Sequence, residues 1–139
     1  MATRRADLQN LAQARLEDSA ILIANRRYAA GYYLSGYAVE LALKSCIARQ
    51  FFENQIPDKN FVNKVYTHQI VDLIKLAGLQ RDLQIMQDAN ANFQAYWGIV
   101  GEWSVDSRYA LTDPMSAQLL YQAVSDPNHG VFQWVRNHW

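Results

Sequence analysis

The stretch YAAGYYLSGYAVELALKSCIA, residues 28–48, predicts a helix that is apolar on almost every side. Such a helix usually has neighbours on several sides, as the central member of a bundle does. It nevertheless carries Glu40 and Lys44 one turn apart, in the order that favours an i, i+4 ion pair. Because buried charge is costly, we expect these side chains to pair with each other or with another polar group.

Helical periodicity continues on both sides of this segment. A first helix is predicted from Asp7 to Ala24. The polar turn 25–27 predicts an antiparallel hairpin with a second helix that runs from about Tyr28 to about Phe52. Irregular structure is predicted over 53–66, followed by a third helix between a Thr67 cap and Gly78 and a fourth helix over 79–100. A loop is predicted over 98–111, and a fifth helix starts at Asp113–Pro114. The second start signal, Asp126–Pro127, predicts a short helix or a kinked continuation over 131–139.

The pattern as a whole predicts an all-α protein. No run of alternating polarity is long enough to indicate a strand, and no repeat or linker divides the chain. We therefore expect one domain over 1–139, an up-and-down antiparallel bundle of four to five helices with a long central helix.

Charge and cysteine content narrow the function classes. The 139 residues carry 13 basic and 13 acidic side chains, so the basic excess typical of nucleic-acid binders is missing, although a local basic patch is not excluded. The single cysteine, Cys46, lies in the apolar helix, which favours a packed core thiol and a reducing compartment. Without a signal-peptide pattern or a long apolar run, we expect a cytoplasmic protein that does not associate with membranes.

The sequence contains none of the common catalytic motifs. The glycines form no phosphate-binding loop, and His68, His129 and His138 lack the helical spacing with carboxylates that a metal site requires. We therefore expect neither a metal nor another cofactor. Glu40 and Lys44 are the one polar pair predicted on a buried surface, and structural pairing is the favoured interpretation over catalysis.

Three motifs in order resemble the HEPN domain family. GYAVELALK, residues 36–44, resembles the family's central helix, with an apolar stretch, a glutamate and then a lysine. His68 with Leu73 resembles the histidine and leucine at the start of the next helix, and Arg108–Tyr109 resembles the Arg-Tyr pair before the last long helix. The resemblance covers about residues 8–125.

The resemblance implies a bundle that forms a symmetric homodimer. Small members of the family are often partners of a minimal nucleotidyltransferase in toxin–antitoxin-like pairs. Many others are metal-independent ribonucleases, in which an arginine, four to six residues and a histidine from each copy form one cleft. In that chemistry arginine holds the scissile phosphate and histidine moves protons.

The chain departs from the ribonuclease pattern, because no histidine follows an arginine at the family's spacing. The first hypothesis is therefore a non-catalytic homodimeric module that binds a nucleotidyltransferase, with aromatic interface anchors such as Tyr32, Tyr33, Trp134 and Trp139. The alternative is an RNA-cleaving toxin with a divergent site of Arg136 and His138 at the dimer groove. A third hypothesis is a nucleotide- or phosphate-binding pocket at the dimer groove, lined by Lys44, His68 and Arg108. As a structural role, Arg108 with Tyr109 is expected to hold the last loop on the bundle.

Overall fold

The computed structural model describes residues 3–139, whose regular secondary structure is entirely helical, with no strand. The α-helices are α1 (Arg5–Ala24), α2 (Tyr28–Ala48), α3 (Lys59–Val65), α4 (Ile70–Leu76), α5 (Gln80–Ala89), α6 (Ala91–Gly101), α7 (Pro114–Ser125) and α8 (Val131–Arg136), with a 3₁₀ helix over Val105–Tyr109. The all-α prediction is confirmed. None of the helices in this described range is long and apolar enough to cross a membrane.

The first two helices form the predicted hairpin. They are joined through Asn25–Arg27, where Arg26 adopts the left-handed conformation with φ of 62°. Helix α1 buries Ala12, Leu16 and Ser19. Helix α2 can approach α1 closely because Gly31 has no side chain, and a Cβ there would meet the side chain of Ile23.

Helix α2 packs against five other elements: α1, α4, α7, α8 and the 3₁₀ helix. All residues from Ala38 to Ile47 are buried except Lys44. The segment is therefore covered on all of its sides, as its apolar composition predicts.

Several helix boundaries agree with the sequence signals. The Asp113 carboxylate accepts a hydrogen bond from the Ser116 backbone N–H at 2.6 Å, and Pro114 is the first residue of α7. Gly78 has a φ of 73°, a conformation that glycine adopts without the penalty of a Cβ, and it follows α4 where a stop is predicted.

Several boundary predictions are wrong. Helix α2 ends at Ala48, four residues before the predicted Phe52, and the predicted loop over 98–111 contains the end of α6 and the 3₁₀ helix. The polar stretch 53–66 contains α3, because the Asp58 side chain caps it by accepting from the Asn60 N–H. The predicted fourth helix is divided at Asn90, which has extended backbone angles and whose side chain accepts from the Phe93 N–H. Asp126 ends α7 instead of starting a helix, since its carboxylate accepts from the backbone N–H groups of Asn128 and His129.

Two predictions about single side chains also have clear outcomes. Trp134 cannot anchor an interface, because it is 5% exposed and packs against Phe93 with ring centroids 5.5 Å apart. Cys46 is buried, as the core interpretation predicts, and burial raises the pKa of its thiol to about 11.

The loop after α6 returns to the bundle through Trp103. This indole is 5% exposed and lies against Gly36 of α2, where a Cβ would overlap the ring. Tyr33 packs on another part of the same indole, with ring centroids 6.0 Å apart. The absence of a side chain at position 36 therefore determines how closely this loop can approach α2.

We predict that Gly36→Ala lowers the free energy of unfolding by about 2 kcal/mol, because the new methyl group must displace Trp103. Gly98→Ala is the matched control, since it also lies inside a helix but has open space around it, and it should stabilise by about 0.5 kcal/mol. Urea denaturation measures both values. Equal effects of the two substitutions would contradict the packing argument.

Candidate functional site

The candidate site is built around the carboxylate of Glu40. Helix α2 places this residue in its most buried segment, where its side chain is only 1% exposed. A carboxylate in such a position requires charged or hydrogen-bonding partners, since its own desolvation is unfavourable.

Two side chains supply those partners. The Lys44 ammonium donates to Glu40 Oε2 at 3.2 Å, from one turn further along α2. His68 Nδ1 lies 3.2 Å from Oε1 and 3.1 Å from Oε2 of the same carboxylate. The imidazole comes from a segment 28 positions away and just before α4, so this contact ties α4 to α2.

The charge of Glu40 also acts on a neighbouring phenol. The pKa of Tyr37 is raised, first because the side chain is partly buried and second because the Glu40 carboxylate disfavours a nearby phenolate. Tyr37 stacks on Tyr33 with ring centroids 5.8 Å apart. The carboxylate thus contacts a cation and an imidazole, and its charge also reaches the Tyr37 phenol.

His68 also faces a pocket. Its side chain is 52% exposed and contributes to a cavity of about 340 Å³, the His68 pocket. The pocket is lined by His68, Gln69, Ile70, Val71, Gly101, Glu102, Trp103, Ser104, Val105 and Asp106. Because Nδ1 is held by Glu40, Nε2 is the ring nitrogen left to interact with a molecule in this pocket.

The charge of the His68 pocket does not suit an anion. Glu102 and Asp106 line it, and neither Lys44 nor Arg108 does. The Arg108 guanidinium lies over the ring of Tyr109 instead, 4.8 Å from its centroid, and Tyr109 is 78% exposed. Of the three residues of the predicted phosphate pocket, the structure therefore joins Lys44 and His68 through Glu40 but leaves Arg108 outside this cavity.

The other predicted pair, Arg136 and His138, lies at the end of the chain. Arg136 packs over the Trp139 ring, 5.6 Å from its centroid, whereas the His138 ring packs edge-on against Trp134 at 5.2 Å. The arginine that contacts His138 is Arg49, whose Nη1 donates to the His138 carbonyl at 2.8 Å. Arg49 and His138 also line a common pocket.

Sequence reasoning missed Arg49 and Trp103 as site residues. Arg49 follows the last turn of α2, and its partner lies 89 positions away. Trp103 lies in a segment predicted only as a loop, although a large aromatic side chain there could bury a large area. In the described part of the chain, no group of three His, Cys, Asp or Glu side chains is placed to hold a metal ion.

This arrangement can do two things chemically. A buried carboxylate that accepts from Lys44 and orients His68 can hold two helices in register. The same carboxylate can orient the imidazole so that its outer nitrogen exchanges protons with a bound molecule. The first role needs only the contacts described above, whereas the second also needs a substrate in the His68 pocket.

Comparison with known proteins identifies no relative of this chain. No protein-family profile matches this chain, and neither a curated protein nor a solved structure matches it.

We predict that Glu40→Ala lowers the free energy of unfolding by about 3 kcal/mol, because it leaves the mostly buried Lys44 without its carboxylate and frees His68 from α2. Glu17→Ala is the control, since Glu17 is an exposed residue of α1 and its removal should change stability by less than about 0.5 kcal/mol. Chemical denaturation followed by circular dichroism gives both values. A Glu40→Ala protein as stable as the control variant would show that the cluster does not tie the helices together.

Proposed function

We propose that the protein is a HEPN-like helical bundle that acts as a non-catalytic, homodimeric binding module. Its proposed partner is a minimal nucleotidyltransferase, in a toxin–antitoxin-like pair. The observation that carries the proposal is the contact of His68 with Glu40, beside the pairing of Glu40 with Lys44. These residues come from two separate motifs of the resemblance and meet at one carboxylate.

The finer architecture belongs to the same proposal. In it, α2 is the long central helix, and the short helices α3, α4 and α8 are additions to an up-and-down bundle of four to five helices. Support comes from the neighbours of α2, which packs against α1, α4, α7 and α8.

The non-catalytic part rests on the placement of Arg136 and His138. A ribonuclease of the family's type needs an arginine on the scissile phosphate and a histidine beside the ribose hydroxyl. Here the two side chains pack against different tryptophans, Trp139 and Trp134. The RNA-cleaving alternative would require one of them to leave its aromatic partner.

The homodimer part is supported by an exposed apolar face, the α7 face, formed by Leu111, Met115 and Leu119. Met115 and Leu119 lie one turn apart on α7, and Leu111 lies three residues before the first residue of the helix, in the segment that leads into it. Their exposures are 101% for Leu111, 70% for Met115 and 44% for Leu119. Exposed apolar surface of this kind marks interaction sites.

The composition of α7 supports the same surface. None of its 12 residues is charged, and the helix is flanked by the capping residue Asp113 and the terminating residue Asp126. Depletion of charged residues is the compositional mark of an interface core. The α7 face therefore replaces Trp134, which is buried within one copy, as the proposed dimer contact.

We predict a dimer at micromolar concentrations, measured by size-exclusion chromatography with light scattering. The double substitution Met115→Glu and Leu119→Glu should give a monomer, because it places like charges within an apolar interface. Ile85→Glu is the matched control, since Ile85 is 55% exposed on another helix and its substitution should leave the dimer intact. A wild-type monomer at these concentrations would refute the homodimer.

The proposed partner is tested separately. The tagged protein is purified from its native host, and the proteins that accompany it in stoichiometric amount are identified by mass spectrometry. A minimal nucleotidyltransferase, retained by wild type and by Ile85→Glu, supports the proposal. A dimer that retains no such protein would keep the oligomeric state and remove the partner.

A further inference from the structure

A second pocket, of about 550 Å³, lies where the ends of three helices meet. We name it the Arg49 pocket; it is lined by Cys46, Arg49, Gln50, Lys75, Leu76, Ala77, Gly78, Leu79 and His138. The end of α2 contributes Arg49, α4 contributes Lys75, and the segment after α8 contributes His138.

The lining of the Arg49 pocket is basic. It includes the basic residues Arg49 and Lys75 but no carboxylate side chain. Neither Arg49 nor Lys75 forms an ion pair within residues 3–139. Arg5 of α1 adds to this field, since its charge, like that of Arg49, acts to lower the pKa of the Cys46 thiol against the larger effect of burial.

Helix ends provide a counteracting negative field. Helices α2, α4 and α8 all end near this pocket, and each C-terminus carries a partial negative charge of at most about half a unit. Two of the free carbonyl groups are already satisfied: Arg49 donates to the His138 carbonyl at 2.8 Å, and Gln50 donates to the Leu76 carbonyl at 2.7 Å. The ammonium of Lys75 has no hydrogen-bond partner in the described chain, and Arg49 retains donors beyond Nη1.

From this geometry we infer that the Arg49 pocket binds the phosphate dianion of a small phosphomonoester. A carboxylate would occupy only one arginine fork, whereas a phosphate has enough acceptor oxygens for Arg49 and Lys75 together. The aliphatic lining from Leu76 to Leu79 gives an organic substituent an apolar surface. The inference does not depend on the dimer or on the nucleotidyltransferase.

Direct binding tests this inference, with phenyl phosphate and inorganic phosphate as probes in low-salt buffer and isothermal titration calorimetry as the measurement. Wild type should bind phenyl phosphate saturably and more tightly than inorganic phosphate. Arg49→Gln and Lys75→Gln should each weaken the binding of phenyl phosphate by about tenfold or more, as expected for the loss of a charged hydrogen bond. Lys75→Gln should fold like wild type, because Lys75 is exposed and its side chain forms no hydrogen bond within the described chain. A loss of binding in this variant is therefore not caused by misfolding.

The matched control is Arg136→Gln, which removes a nearby exposed arginine that packs on Trp139 and does not line the pocket. It should retain wild-type affinity within about twofold. An equal loss in Arg136→Gln would indicate unspecific charge attraction and overturn the inference. It would also be overturned by the absence of saturable binding below about 10 mM phenyl phosphate, or by full affinity in Lys75→Gln.

Discussion

The carboxylate of Glu40 lies inside the most completely buried stretch of the chain, and the helices around it are arranged so that it is not left alone. Lys44 neutralises it from the same helix, which any helical conformation of this sequence would allow. His68 reaches it only if α4 lies against α2. The requirement to compensate one buried charge therefore selects a particular packing of α4, which unspecific apolar contact alone would leave free to slide.

Helix α2 also determines where polar chemistry can occur. Near the middle of α2, Glu40 contacts His68, which lines a pocket together with Glu102 and Asp106. At the end of α2, Arg49 lines a pocket that contains no carboxylate side chain. The chain has no formal net charge, yet the fold separates acidic and basic side chains between two cavities along one helix. Net charge describes the whole protein surface, whereas the binding of a ligand depends on the few charges within about a Debye length of it.

Regular periodicity and the Asp-Pro start of α7 could be predicted, whereas caps that interrupt a continuous periodicity and contacts between distant segments could not. The α1–α2 hairpin and the start of α7 follow from periodicity and capping residues within a few positions. The division at Asn90 depends on a side chain that caps α6 instead of continuing α5, and the periodicity across it gives no sign of this. The site shows the same limit, since a local pattern predicts the Glu40–Lys44 pair, while the Arg49–His138 contact spans 89 positions.

The neighbours of His138 also differ between the sequence and the structure. In the sequence, its closest arginine is Arg136, and these two residues form the divergent ribonuclease site of the alternative hypothesis. Residues two apart near a helix end do not face each other, and here their side chains pack on different aromatic rings. The arginine that shares a pocket with His138 comes from α2. Any phosphate binding at this end of the molecule would therefore depend on Arg49 at the end of α2 and on the segment after α8 together.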